Sequence, residues 1–307
     1  MRIGILGKGG SGKTSITTTL AIYFAKQQFT LVIDADQNAN IARALESNPP
    51  LSLADHEEEI FAYLHQHREG ITPIGTTPPG KNSTFIRVQE NDPFLKKYAS
   101  INNNHALLQV GTYTSDDVGV SCYHGKQAGL EAVFHHLLDT EEDIVLTDST
   151  AGLDSLGNSL YLVHDIIFYV VEPTEKSVSV YKQFKDIAQE KNIHHKVIAN
   201  KIYDEQDMTY LLEHIDEQDI LVTFSFDPTL RRVEQGDANA RETFLKKHEQ
   251  QCKQIEEYVR SLSKDWKTYH QTLIETHKKS AQEWYDEYYN EKLSEQIDTE
   301  FRYEDVL

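Results

Sequence analysis

Short apolar, β-branched runs recur along the chain at residues 2–6, 30–34, 106–110, 143–148, 166–171, 196–200 and 220–225. None alternates cleanly between apolar and polar positions. Continuous runs of this length predict strands covered on both faces, the pattern of a parallel sheet. Helical periodicity fills the intervals at 16–27, 126–138, 176–191 and 206–214. Strand–helix alternation with right-handed crossovers predicts an α/β fold, a mostly parallel sheet flanked by helices.

Two stretches depart from this rhythm. Residues 49–104 carry Pro49-Pro50, the turn cluster Thr76-Thr77-Pro78-Pro79-Gly80 and the polar Asn102-Asn103-Asn104, and read as a helical and loop insertion after the first βαβ unit. Residues 237–307 contain neither Gly nor Pro. There Cys252, Ile255, Val259, Leu262, Trp266, Tyr269 and Leu273 follow alternating steps of three and four, and Trp284 and Tyr288 continue roughly in phase. This predicts a long helix with one apolar seam, broken near Ser261-Leu262-Ser263 with Ser263 capping a second helix. The seam has two possible destinations, the protein's own core or a partner. The expected division is a P-loop domain at 1–236, including the 49–104 insertion, and a C-terminal helical extension at 237–307.

Candidate chemistry sits where the strands end. The first run breaks into Gly7-Lys8-Gly9-Gly10-Ser11-Gly12-Lys13-Thr14, of the form G-x-x-x-x-G-K-T. Glycines there permit positive φ and remove Cβ atoms. The backbone N–H groups of Gly9, Gly10, Ser11, Gly12, Lys13, Thr14 and Ser15 can then converge on a phosphate at the start of the next helix. Lys13 would reach the β- and γ-phosphates and the Thr14 hydroxyl would ligate Mg²⁺. Asp34 and Asp36, two residues apart at the end of the second run, point the same way toward the edge where open parallel sheets place ligands. One suits the waters of Mg²⁺ and the other the attacking water. Asp148 ends an apolar run in the manner of a Walker B acid, holding Mg²⁺ through water, with Ser149-Thr150-Ala151-Gly152 as the loop that senses the γ-phosphate. After Asn200-Lys201 the position that recognises guanine by an aspartate is Tyr203, so an adenine nucleotide, ATP or ADP, is expected. Phe226-Asp227-Pro228 supplies a loop to close over the base.

Charge narrows the partners. With 49 acidic and 30 basic residues among 307, the chain carries a formal charge of −19. It shows no basic face to displace counterions from nucleic acid and no basic amphipathic helix for a membrane surface. No apolar run approaches the roughly 18 residues of a transmembrane helix. The chain opens on its phosphate loop, leaving no room for a signal peptide, and a cytoplasmic location is expected. Two cysteines, Cys122 and Cys252, make no disulfide scaffold and fit a reducing compartment.

Lys8, a second lysine inside the loop, resembles the signature lysine of the deviant Walker A ATPases, which include MinD, ParA, the nitrogenase iron protein and the nickel-insertion ATPases. The resemblance implies that Lys8 crosses a dimer interface to the partner's nucleotide, and so an ATP-dependent homodimer. It also implies that Asp34 serves the metal side, that Asp36 is the switch I residue positioning the nucleophile, and that Asn200 contacts adenine. The likeness is closest to the accessory ATPases that load nickel into carbon monoxide dehydrogenase. It is carried by residues 7–14, 34–40, Val110-Gly111-Thr112, 148–152 with Leu156-Gly157, Val171-Glu172-Pro173 and Asn200-Lys201. The terminal helices have no counterpart there. Those proteins carry a Cys-x-Cys at the dimer interface, and here the matching place reads Gly119-Val120-Ser121-Cys122-Tyr123-His124. Cys122 and His124 from two copies would make a Cys₂His₂ set suited to Zn²⁺ or Ni²⁺.

The expected function is an ATP-hydrolysing dimeric switch acting on an unidentified protein partner. One alternative is a partition or positioning ATPase, which the acidic balance counts against. Another is an adaptor with structural nucleotide, whose terminal helices bind the partner.

Overall fold

A computed structural model of the protein describes every residue except Thr114 and 118–122. Ten strands follow along the described chain: β1 Arg2–Gly7, β2 Thr30–Ala35, β3 Ile86–Arg87, β4 Ser100–Asn102, β5 His105–Gln109, β6 Leu137–Leu138, β7 Ile144–Ser149, β8 Ile166–Val171, β9 His195–Ile202 and β10 Ile220–Ser225. Eight of them form one sheet in the order β10-β9-β8-β1-β7-β2-β5-β4. Pairing is parallel except between β4 and β5. All seven predicted strands are present.

Alternate side chains go to opposite faces. Val32, Leu146, Phe168 and Ile198 join one core, while Leu31, Ile33 and Val145 join a second and Ile167, Tyr169 and Val197 a third. Continuous apolar runs were needed because both faces are covered.

The helices are α1 Lys13–Ala25, α2 Ile41–Ala44, α3 Glu57–His65, α4 Pro93–Tyr98, α5 Tyr123–Lys126, α6 Ala128–His135, α7 Glu175–Glu190, α8 Glu205–Leu212, α9 Thr229–Glu234, α10 Ala238–Lys247, α11 Glu249–Arg260, α12 Trp266–Trp284 and α13 Asp286–Tyr289. The predicted helix at 126–138 stops at His135, because Leu137–Leu138 pairs instead with Ile86–Arg87. Within 49–104, the expected helices and loops are joined by β4, and Asn103 and Asn104 form its left-handed turn into β5 at φ 45 and 63.

The apolar seam folds back onto the protein's own core. Cys252, Ile255 and Val259 of α11 are fully buried in one cluster with Ile16, Leu20 and Phe24 of α1. Trp266 stacks on Tyr303, whose hydroxyl donates to the His135 carbonyl at 2.6 Å. Two details of the seam differ from expectation. Asp265, rather than Ser263, caps α12 by accepting from the Thr268 N–H at 2.9 Å. Trp284 and Tyr288 are 74% and 81% exposed. The buried stripe of α12 runs Trp266, His270, Leu273, His277, Ala281, and its drift toward 3.6 residues per turn brings Tyr285, not Trp284, onto the inner face beside Leu293.

Between α11 and α12 the chain is fastened by charge. Asp139, fully buried, accepts from Arg2 Nε at 2.8 Å and from Lys264 Nζ at 2.6 Å. Lys264 also reaches Asp165 at 2.8 Å, and the Arg2 guanidinium lies 5.0 Å from the Tyr269 ring centroid.

Candidate functional site

The sheet places the phosphate loop beside two buried carboxylates. β1 lies between β8 and β7, and β7 between β1 and β2. Asp34 and Asp148 are direct partners in the β2–β7 register, with Ile5 of β1 next to Asp148. The loop leaves the same edge. At Gly7 (φ 151) a Cβ would stand 2.6 Å from the Val170 carbonyl and 2.8 Å from Ser11 Oγ, so glycine is required. Gly12 (φ 101) starts α1 with no room for a Cβ against the Asn200 amide.

Lys13 is buried under the loop, and burial lowers its pKa while Asp148 and Asp36 oppose the shift. Thr14 Oγ1 donates to Asp148 Oδ2 at 2.7 Å, and Thr17 Oγ1 donates to Asp148 Oδ1 at 3.2 Å. Burial raises the Asp148 pKa to about 6, against the pull of the Thr14 hydroxyl and Lys13. Burial, with the neighbouring Asp148 charge, raises Asp34 to about 8. Both oxygens of Asp34 accept backbone N–H groups, from Asp36 at 3.2 Å and Ile41 at 2.9 Å. Asp34 thereby shapes the loop that carries Asp36. Asp36 is half-buried and accepts from the Asn38 N–H at 2.8 Å.

These groups fit Mg²⁺. The candidate donors are all hard oxygens, Thr14, Asp34 and Asp148, and the two adjacent buried carboxylates, drawn toward neutrality, would recover their charge beside a dication. Among the described residues the buried Ser11 Oγ of the loop also has no hydrogen-bond partner, a group a phosphate oxygen would satisfy.

From this edge a cleft of about 400 Å³ opens along α1, lined by Gly10, Gly12, Lys13, Thr14 and Ser15. Its outer wall is Leu230, Val233 and Phe244 of α9 and α10. Arg241, also on that wall, spans to Glu46 at 2.9 Å. Pro228 is exposed, caps α9 and does not line the cleft, because Asp227 turns inward to hold the Thr229 N–H at 2.9 Å and Lys247 at 3.0 Å. Asn200 is buried and donates to the Ser11 carbonyl at 2.8 Å, bracing the loop from β9.

Two residues of the site went unassigned in the sequence. Lys201, at φ 60, turns back to the Gly10 carbonyl and pairs with Glu172 at 3.2 Å. Glu172 also holds Lys8 at 3.3 Å, and Lys8 donates to the Gly9 carbonyl at 3.0 Å. The dipeptides containing Glu172 and Lys201 were visible, but their meeting depends on the β1–β8–β9 order. Cys122 lies outside the described residues. His124 Nε2 sits 2.8 Å from the Asp154 carbonyl, in the loop after β7. Among the described residues, no group of three or more His, Cys, Asp or Glu side chains is placed to hold a metal.

A glycine-rich loop opening a helix, a threonine bonded to a strand-end aspartate, and a parallel sheet in this order define a P-loop nucleotide-binding fold. Residues 5–274 match the CobQ/CobB/MinD/ParA nucleotide binding domain, and the chain belongs to that family. An uncharacterized ATP-binding protein of Methanocaldococcus jannaschii is 30% identical over 231 residues, 74% of this chain and 85% of its own. The carbon monoxide dehydrogenase accessory protein CooC of Rhodospirillum rubrum is 27% identical over 244 residues, 77% of this chain and 88% of its own. The septum site-determining protein MinD of Pyrococcus horikoshii, solved with Mg-ADP, superposes with TM-score 0.51 at 17% identity, covering 80% of this chain and 92% of its own. That likeness supports the α/β fold. No helix among the described residues is long and apolar enough to cross a membrane.

Proposed function

We propose that this member of the MinD/ParA-type ATPase family hydrolyses ATP slowly as a nucleotide-dependent homodimer and acts on a protein partner that stimulates it. The observation that carries the reading is the bonded set Thr14–Asp148–Thr17 beneath a loop holding both Lys13 and Lys8. CooC and the M. jannaschii ATP-binding protein, as relatives, favour adenine nucleotide and a maturation-type role.

In this reading the loop N–H groups of residues 9–15 bind the β-phosphate, and Lys13 neutralises charge developing on the transferred group. Thr14, with Asp148 acting through water and Asp34 on the metal side, would hold Mg²⁺, which when bound would neutralise charge on the phosphates. Asp36 accepts a hydrogen bond from the attacking water and orients it in line. Asp34 keeps the Asp36 loop in place, and Lys8 leaves Glu172 to reach the partner's nucleotide. Ser15 and Asn200 border the nucleotide, and the base lies along the α9–α10 wall.

Turnover and assembly test this together. Lys13→Ala should abolish ATP binding, whereas Asp36→Ala should bind ATP and fail to release phosphate. Light scattering of Asp36→Ala with ATP should show a dimer that an added Lys8→Ala loses. Equal phosphate release by wild type and Asp36→Ala would remove the assignment of Asp36. A dimer indifferent to Lys8→Ala would remove that of Lys8.

A further inference from the structure

A second cleft, of about 570 Å³, lies between α12 and the chain's return through residues 293–304, and it shares no lining residue with the phosphate-loop cleft. Its volume is that of a small-molecule pocket. One wall is a single face of α12, where Lys267, His270, Gln271, Ile274 and Lys278 recur at helical spacing. Arg302, Thr299 and Ile297 come from the other side.

Three cations line this cleft in a chain of net charge −19. Among the described residues neither Lys267 nor Lys278 makes an ion pair within 4 Å, and Lys267 acts only at longer range on Asp265. Arg302 Nη1 donates to the carbonyls of Thr299 at 2.8 Å and Phe301 at 2.6 Å, which fixes the guanidinium and leaves its remaining N–H groups available. Two acids also line the cleft. Glu295 is engaged by Lys292 at 2.8 Å, and Glu304 is the other lining acid, with Asp298 and Asp265 acting on His270 and Lys267 from outside the lining.

The inner wall holds His270, 5% exposed, its ring edge-on to Phe301 and Tyr303. Among the described residues its Nε2 has no hydrogen-bond partner, and a buried polar atom without one is uncommon. Burial and then Arg302 hold this imidazole below its ordinary pKa. An incoming oxygen would satisfy the ring nitrogen.

We propose that this cleft binds a small polyanion, two or more carboxylate or phosphate groups on a short carbon skeleton. Lys267, Lys278 and Arg302 pair with its oxygens, and Ile274 and Ile297 cover its carbon. Charge-assisted bonds from a fixed guanidinium give such a site its orientation.

The test is isothermal titration of the full chain with tricarballylate and, separately, with fructose 1,6-bisphosphate. At least one probe should bind saturably with Kd about 1 mM or tighter. The double variant Lys267→Gln/Lys278→Gln, and Arg302→Gln on its own, should weaken that binding tenfold or more. Lys13→Ala should leave it unchanged, which separates this cleft from the phosphate loop whether or not that loop binds ATP. Both lysines are exposed, so the double variant should keep the wild-type circular dichroism and melting temperature. The stronger probe tells carboxylate from phosphate ligands. No saturable heat with either probe, or equal affinity in wild type and the double variant, overturns the proposal.

Discussion

Replacing Asp139 by asparagine would remove the one carboxylate shared by Arg2 of β1 and Lys264 of the α11–α12 connection. Burial alone would raise the pKa of this acid. The charges of Arg2, then Lys264, then the Met1 ammonium outweigh that effect and hold it well below the ordinary carboxylate range. Both cations are themselves buried, 1% and 6% exposed, so the amide leaves them facing Asp165 alone. Breaking one partner out of a buried ion pair costs about 3–5 kcal/mol, because the orphaned charge keeps its desolvation penalty. With an unfolding entropy of about 2.1 cal/mol/K per residue, a chain of 307 residues loses about 1.5 °C of Tm per kcal/mol, so a loss of about 5–8 °C is expected. Urea unfolding followed by Trp266 fluorescence in a Trp284→Phe background reads the fastening directly, since Trp266 lies 4.8 Å from Lys264 Nζ. The buried Met1 ammonium also faces Asp139 at 3.5 Å, so the triple variant Arg2→Met/Asp139→Leu/Lys264→Met removes three of four clustered charges and should recover only part of the loss. Asp139→Asn within about 1 kcal/mol of wild type, near the typical worth of an exposed pair, would show that apolar packing alone fastens α12.

Three further outcomes are expected. Gly12→Ala should prevent nucleotide binding while the protein still folds, because φ 101 and the Asn200 amide both exclude a Cβ; wild-type ATP affinity by titration would contradict this. Glu172→Gln should weaken the hold on Lys8 and on Lys201, and, if Lys8 acts across a dimer, shift ATP-dependent dimerisation to lower protein concentration by several-fold; light scattering that shows no shift would mean the 3.3 Å pair does not restrain Lys8. Burial holds His136 at about 4 and His164 at about 3, below their ordinary 6.5, so the unfolded chain binds more protons. Their contribution is complete above about pH 6.5 and falls by about 1.4 kcal/mol per His per unit as the medium is acidified toward those values. Asp34, raised to about 8, acts in the opposite sense, contributing more as pH falls, so the readout is a difference. His164→Leu should flatten the fall of Tm between about pH 6.5 and 5 relative to wild type, and parallel curves would exclude the imidazole as the cause.

The parts of the fold legible in the sequence were those fixed by local burial. Val145-Leu146 and Ile166–Val171 are apolar at every position because both sheet faces are covered, and no tertiary knowledge is needed to read them. The 2-residue strands Ile86–Arg87 and Leu137–Leu138 carry no such signal. Their pairing joins segments far apart in the sequence, and it ended the predicted helix early. On α12 the error was one of phase. Steps of three and four fitted Cys252 to Leu273 equally well for a straight helix or a supercoiled seam, and only the end of the helix, where Tyr285 rather than Trp284 turns inward, tells the two apart.

The site divides along the same line. Gly7 through Thr14 is one strand–loop–helix, so its backbone geometry follows from its own residues, and the φ values of Gly7 and Gly12 accord with the glycines there. The remaining groups meet by strand order. Asp34 opposes Asp148 because β2 neighbours β7, and that adjacency separates their tasks: Asp148 faces Thr14, while Asp34 is turned to the backbone that carries Asp36. Likewise β8 and β9 bring Glu172 and Lys201 to the loop, where Lys201 binds the Gly10 carbonyl and Glu172 binds Lys8. A nucleotide phosphate at this loop would meet Lys8 and Lys201 tied through one carboxylate. Any movement of Lys8 toward a second subunit would therefore unload Glu172 onto Lys201, so that the hold of β9 on the loop and the freedom of Lys8 change together.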